Sequence, residues 1–202
     1  MTNTFIETLD ISEISEERLA ILDPIITHIS EEIKANKAIN LNFICTHNSR
    51  RSHLSQVWAQ TIAKFYNMNN VYCFSGGTEA TAMFPASGIA LQDAGFIVKK
   101  LTDSKNPIYS ISSDENALPI IGFSKRYDDE FNPKNDFTAI LTCSSADQDC
   151  PYIPGANKRI ALTYEDPKAF DNTPQQREMY AARSKQIATE MKYIFSKIAK
   201  DV

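Results

Sequence analysis

The chain of 202 residues has no apolar run that approaches the roughly 20 residues needed to span a bilayer. It has no long basic run either, and its formal net charge is −4. That argues against nucleic acid or an anionic membrane as its main partner. The first residues, Met1-Thr2-Asn3-Thr4-Phe5-Ile6-Glu7, do not set a basic region before an apolar core, so no secretory signal is expected. Cysteines number only four, and no two have the close spacing of a zinc site, so no metal is expected. Without a signal, four cysteines point to a reducing, cytoplasmic compartment and to catalytic or redox use. There is no internal repeat and no low-complexity segment. What remains is a hydrophobic fraction of 43% and a charged fraction of 23%, which place the chain among globular proteins with one sizeable core.

Residues 1–38 read as an N-terminal helical extension, and 39–202 as the main domain with an insertion over about 102–136. Asp23-Pro24 has the form of an N-cap followed by proline at the first helical position. Ile25, Ile29 and Ile33 then recur at helical spacing, which predicts one apolar face. Core strands are expected at 40–45, 71–74, 137–142 and 159–163, with Ser75-Gly76-Gly77 breaking the second. Helices are expected at 52–66, at 85–94 closed by Gly95, and from 174 to about 200. The last opens on Thr173-Pro174-Gln175-Gln176, a capping-box pattern, and buries Tyr180, Ile187, Met191, Ile194 and Ile198. Residues 96–101 read as a further strand, and 108–111 with 118–123 as a hairpin. Alternating strands and helices predict a three-layer α/β/α fold around a four-stranded parallel sheet. In such folds ligands sit beyond the carboxyl ends of the strands.

Cys45-Thr46-His47-Asn48-Ser49-Arg50-Arg51-Ser52 lies at one of those ends. A loop turning from a strand end into a helix start aims its N–H groups inward, toward a tetrahedral oxyanion, with the helix dipole behind them. Arg51 adds a permanently charged, bidentate clamp. The same field favours the thiolate of Cys45 and marks it as a nucleophile. A cysteine and an arginine at this spacing arise often by chance, and a cysteine at a strand end is usually a small buried hydrophobe. Placement between strand and helix gives the pair its weight. Cys143 and Cys150 follow the 137–142 strand, at the same sheet edge as Cys45. Asp166 follows the last core strand, within reach of the same pocket, where a carboxylic acid protonates a leaving oxygen. Cys73 reads as core.

The segment 45–52 resembles the phosphate loop of low-molecular-weight tyrosine phosphatases and of their relatives, the thioredoxin-coupled arsenate reductases. The resemblance runs from about residue 40 to residue 190. Asn48-Ser49, the Cys143/Cys150 pair, Cys150-Pro151-Tyr152-Ile153-Pro154-Gly155 and Glu165-Asp166-Pro167 are similar to the reductase branch. The resemblance implies that residues 46–52, Thr46, His47, Asn48, Ser49, Arg50, Arg51 and Ser52, bind the oxyanion. It implies that Cys45 attacks arsenate while Asp166 protonates the departing oxygen. Cys143 then displaces arsenite from Cys45, Cys150 moves the disulfide outward, and thioredoxin reduces it. No tightly bound cofactor is implied. The alternative is a tyrosine phosphatase, in which water hydrolyses a Cys45 phosphocysteine with Asp166 as acid and then base. A third reading is a module that binds an oxyanion without turnover.

The chain departs from the pattern in places. Arg50 stands where the reductases have a small residue or cysteine, and it reads either as extra positive charge at the nest or as a solvated surface residue. His47 stands where glycine is common. Some reductases hold a potassium ion behind the loop. Asn48 and Ser75 match that site, but Gln56 replaces a glutamate. The extension and the insertion read as added packing, a dimer surface or a lid.

Overall fold

The computed structural model describes residues 1–149 and 152–201. Its centre is a parallel sheet of four strands: β1 (Ile39–Cys45), β2 (Val71–Gly77), β6 (Phe137–Leu141) and β7 (Ala156–Ala161), in the order β2-β1-β6-β7. Every residue of β6 is buried, as expected for a central parallel strand covered on both faces. Alternation along the inner strands divides the core in two. Leu41, Phe43 and Ile140 face one cluster, with side chains of α2 (Glu16–Lys34), α3 (Arg51–Phe65) and α6 (Gln176–Asp201). Ile44, Phe137, Ala139 and Leu141 face a smaller cluster with Cys143, Ala146 and Ile153. The short α5 (Ser144–Asp149) packs on that second face. The result is the three-layer arrangement that the alternating elements predict.

Three boundaries differ from expectation for identifiable reasons. First, the extension is helical, with α1 at Thr2–Thr8, but α2 begins at Glu16 rather than beside Asp23. Ser15 caps it by accepting from the Arg18 N–H at 3.3 Å. Pro24 therefore lies inside the helix, where it removes one backbone hydrogen bond. Burial of Leu22, Ile25 and Ile29 on both sides of the proline carries the helix through it. Second, β2 continues through Ser75-Gly76-Gly77 instead of stopping there. A Cβ on Gly76 would lie 2.3 Å from the Tyr127 Cα, and one on Gly77 2.3 Å from the Glu79 carbonyl oxygen. These glycines admit neighbouring backbone rather than end the strand. Third, β7 starts earlier than residue 159, although Leu162 and Tyr164 still donate to Leu141 and Thr142 and prolong the ladder.

The capping box is not formed. The Thr173 hydroxyl donates to the Phe170 carbonyl, and Gln176 Oε1 accepts from the Asn172 N–H. All five residues of the expected α6 stripe are nonetheless buried. The helix α4 is found at Pro85–Asp93. The insertion contains the expected hairpin, β4 (Tyr109–Ser112) and β5 (Ile120–Gly122). With β3 (Ile97–Lys100) it forms a separate antiparallel sheet ordered β3-β4-β5. Beyond β5 the chain returns to the edge of β2, where Gly77 donates to Lys125 and Tyr127 donates to Gly77. The insertion thus supports the sheet from its edge. No helix among the described residues is long and apolar enough to cross a membrane.

Candidate active site

The loop between β1 and α3 is built to aim backbone N–H groups at one point. Asn48 adopts φ 44°, a left-handed conformation that asparagine tolerates better than most residues. Its Nδ2 donates to Ser52 Oγ at 2.9 Å, and its Oδ1 accepts from the Lys125 N–H at 2.9 Å. The loop carbonyls point the other way and are claimed by neighbours. Thr46 O accepts from the Thr78 hydroxyl and the Glu79 N–H, and His47 O from the hydroxyls of Thr81 and Ser124. Ser49 donates to Ala82 O at 2.7 Å, and its own carbonyl accepts from the Phe84 N–H. Among the described residues, the N–H groups of residues 46–51 donate to nothing. Amides without partners at a helix start are the elements of an anion nest. Cys45 Sγ sits at that nest, 3.1 Å from Ser52 Oγ.

Two adjacent arginines join the loop to the segment after β7. Arg51 Nη2 donates to Asp166 Oδ2 at 2.6 Å and Nη1 donates to the Tyr164 carbonyl at 2.9 Å. Asp166 Oδ1 accepts from the Lys168 N–H, which fixes the carboxylate as cap of the turn Pro167–Phe170. Arg50 Nη2 donates to Asp171 Oδ2 at 2.5 Å and its Nε to the Tyr180 hydroxyl at 2.5 Å. Its guanidinium also stacks 4.3 Å from the Phe84 ring centroid. Arg50 is therefore not a solvated surface residue. Cys45, His47, Ser49, Arg50, Arg51 and Asp166 line one small pocket. The pocket has no aromatic wall of its own and is polar almost throughout.

Cys143 lies one strand over from Cys45. Ile44 pairs with Leu141, and Thr142 donates to Ile44 O at 2.7 Å, so Cys143 follows at the same sheet edge. Its buried Sγ is 3.6 Å from Thr46 Oγ1 and accepts from the Ala146 N–H at 3.3 Å. Cys150 lies outside the described residues. Arg159 holds α5 by donating to the Asp147 carbonyl and carboxylate.

Behind the loop sit two ionisable groups that the sequence reading did not place there. His53 is fully buried, with Nδ1 3.5 Å from Ser75 Oγ. Burial, then the charge of Lys125, push its pKa down to about 3, so the ring is neutral near pH 7. Lys125 lies with its ammonium 4.5 Å from the Phe123 ring centroid, and burial pushes its pKa down to about 8. Of the residues matched to a monovalent-cation site, two face protein groups, while Gln56 Oε1 is buried with no hydrogen-bond partner among the described residues. Asn48 Oδ1 is taken by Lys125, Ser75 Oγ faces His53, and Gln56 is neutral and donates to Cys73 O. Among the described residues no cluster of His, Cys, Asp and Glu would hold a metal ion.

No protein-family model matches the chain. Arsenate reductase 2 of Staphylococcus epidermidis is 27% identical over 125 residues, 62% of this chain and 76% of the relative. An arsenate reductase of Staphylococcus aureus is 28% identical over 126 residues, with the same shares. A low-molecular-weight phosphotyrosine phosphatase from Vibrio cholerae superposes with TM-score 0.53 at 14% identity, over 79% of this chain and 95% of that one. An arsenate reductase in the phosphate-binding state gives 0.51 at 17%, over 79% and 98%. The chain is thus similar in sequence to arsenate reductases and shares the fold of the low-molecular-weight phosphatases. This fold brings Cys45, Arg51 and Asp166 to one pocket, with Cys143 beside it. Thr46 and His47 contribute backbone to the nest. The His47 side chain is exposed, 3.6 Å from Glu79, and the Thr46 side chain turns toward Cys143. Tyr164 is buried, and its carbonyl accepts from Arg51. Asp171, Tyr180 and Ser124 were missed, because nothing local in the sequence ties them to a loop so far away.

Proposed function

We propose that the protein reduces arsenate to arsenite with Cys45, Cys143 and Cys150, and that thioredoxin regenerates it. As an enzyme it is of one of two kinds, arsenate reductase or low-molecular-weight phosphatase. The observation that favours reduction is the buried Cys143 sulfur, 3.6 Å from the hydroxyl of the residue next to Cys45. In a hydrolase a second thiol there would serve only to protect Cys45 from oxidation, by forming a reversible disulfide.

Arsenate, tetrahedral and anionic, is held by the N–H groups of the nest and by Arg51. The Cys45 thiolate attacks arsenic, forming a sulfur–arsenic bond. One arsenic–oxygen bond breaks, and that oxygen leaves as water after taking a proton from Asp166. The Cys143 thiolate then attacks Cys45 Sγ. A sulfur–sulfur bond forms, the sulfur–arsenic pair stays on arsenic, and arsenite departs two electrons richer. Cys150 attacks Cys143 and returns Cys45 as a thiolate. A dithiol of the thioredoxin class supplies the two electrons that reduce the Cys143–Cys150 disulfide. Thr46 Oγ1 lies against Cys143 Sγ and orients it toward the strand end.

The phosphatase reading uses the same Cys45, Arg51 and Asp166 and rests on the shared first step. NADPH consumption with arsenate, thioredoxin and thioredoxin reductase, beside hydrolysis of an aryl phosphate, separates the two. Reduction predicts thioredoxin-dependent turnover that Cys143→Ser and Cys150→Ser each abolish while aryl phosphate hydrolysis persists. Hydrolysis alone, indifferent to both substitutions, would make the protein a phosphatase. Cys45→Ser with no loss of any activity would leave only oxyanion binding.

A further inference from the structure

The acid segment is gripped from both sides. From the pocket side, Arg51 donates to the Tyr164 carbonyl and to Asp166. From the far side, Arg18 of the N-terminal extension donates through Nη1 to the Thr163 carbonyl at 3.0 Å. Its guanidinium lies 4.8 Å from the Tyr164 ring centroid, covering that ring. The other two nitrogens of Arg18 make a bidentate pair with Glu190, Nε to Oε1 and Nη2 to Oε2, both at 2.8 Å. Glu190 is only 2% exposed and also accepts from Gln186 at 3.0 Å. A planar guanidinium fixed along one edge by a buried carboxylate has little freedom, so its remaining donor holds Thr163 O in one place. Residues 163–166 have no regular structure of their own. Without Arg18, Asp166 would still be met by Arg51, by the ladder bonds of 162 and 164 and by the cap bond from the Lys168 N–H, but none of these holds the Thr163 carbonyl.

We infer that Arg18 is a positioning residue for Asp166, and that α2 serves the active site as the brace of its acid segment. The inference rests on the reading of Asp166 as the proton donor. It assigns the extension neither a lid nor a dimer surface: Arg18 is anchored to α6 and to the strand-β7 exit, not to the pocket mouth.

A double-mutant cycle tests it. The pair Arg18→Gln with Glu190→Gln removes both charges and leaves no buried carboxylate unpaired. Each variant is measured with Asp166 intact and with Asp166→Asn, both for arsenate-driven oxidation of the protein's thiols and for aryl phosphate hydrolysis. With Asp166 intact, the pair is expected to lower kcat about tenfold with KM little changed. In the Asp166→Asn background it should cost almost nothing further, because the group it positions is gone. Equal losses in both backgrounds, or no loss in either, would overturn the inference. Arg18→Lys runs through the same cycle should the pair fail to fold, with a smaller loss expected. If Asp166→Asn alone leaves both rates unchanged, the acid assignment fails first and the inference falls with it, an outcome distinct from equal losses.

Discussion

The loop 45–52 and the segment 163–171 meet at one pocket but are held in different ways. The loop is closed on itself in part and otherwise held by the chain that follows β2 and β5. Asn48 bonds Ser52 within one turn, and the helix start supplies the N–H groups. The acid segment is determined by distant residues: Arg50, Arg51, Arg18, Glu190 and Tyr180. Geometry of the loop thus combines a local Asn48–Ser52 bond with loop-to-loop contacts, whereas geometry of the acid segment depends on three helices docking correctly. Damage to the loop should therefore remove binding and chemistry together, and damage to the segment's supports should remove chemistry first.

The largest effect is expected at the nucleophile. Cys45→Ser should lower turnover by at least about 10⁴-fold in steady-state assays with either substrate class. Arg51→Lys comes next, because an ammonium cannot reproduce a planar fork that spans Asp166, Tyr164 O and an oxyanion. A loss of about 10²–10³-fold in kcat/KM is expected, with both kcat and KM affected. The third concerns pH. His53 has a folded pKa of about 3 against an ordinary value of 6.5. The unfolded chain binds the proton more readily, so stability falls as pH drops from about 6.5 toward 3. Chemical denaturation across that range should show a loss on the order of a few kcal/mol, and His53→Gln should flatten it. A flat profile in the native protein would remove the buried neutral histidine from behind the loop.

Gly77→Ala sharpens the comparison from the loop side. Its Cβ would meet Glu79 O, Thr46 O and Asn48 N at 2.3–2.7 Å, all of them backbone atoms that cannot rotate away. A destabilisation of about 2–3 kcal/mol in thermal or urea unfolding is expected, with raised KM for the oxyanion. Arg50→Ala should be the mildest. It leaves Asp171 and the Tyr180 hydroxyl bonded to each other at 2.6 Å. A loss of about 1–2 kcal/mol of stability and less than about tenfold in kcat/KM is expected. A loss equal to that of Arg51→Lys would instead give Arg50 a direct part in holding the oxyanion.

Much of the pocket was legible because its first half is contiguous. Strand, cysteine, anion loop, arginine and helix follow one another within a single stretch, and Cys143 could be placed by counting from the end of a buried strand. Where the reading erred, local preference met a tertiary demand. Gly76 and Gly77 looked like a break but serve close backbone approach in β2. Pro24 looked like a helix start but lies within α2. Arg50 offered no local sign of its partners, since Asp171 and Tyr180 lie more than a hundred residues away.

By itself the sequence determined the layer order and the place of Cys45 and its loop at a strand end before a helix, since hydrophobic periodicity and a loop-to-helix turn act over a few residues. Only the tertiary structure decided how Asp166 is held, that Arg50 is paired with Asp171 and Tyr180, and that Ser124 and Lys125 of the insertion bond the loop. Those outcomes depend on hydrogen bonds between side chains and carbonyls far apart in the chain, and no local pattern encodes which of many polar groups will meet once the core has closed.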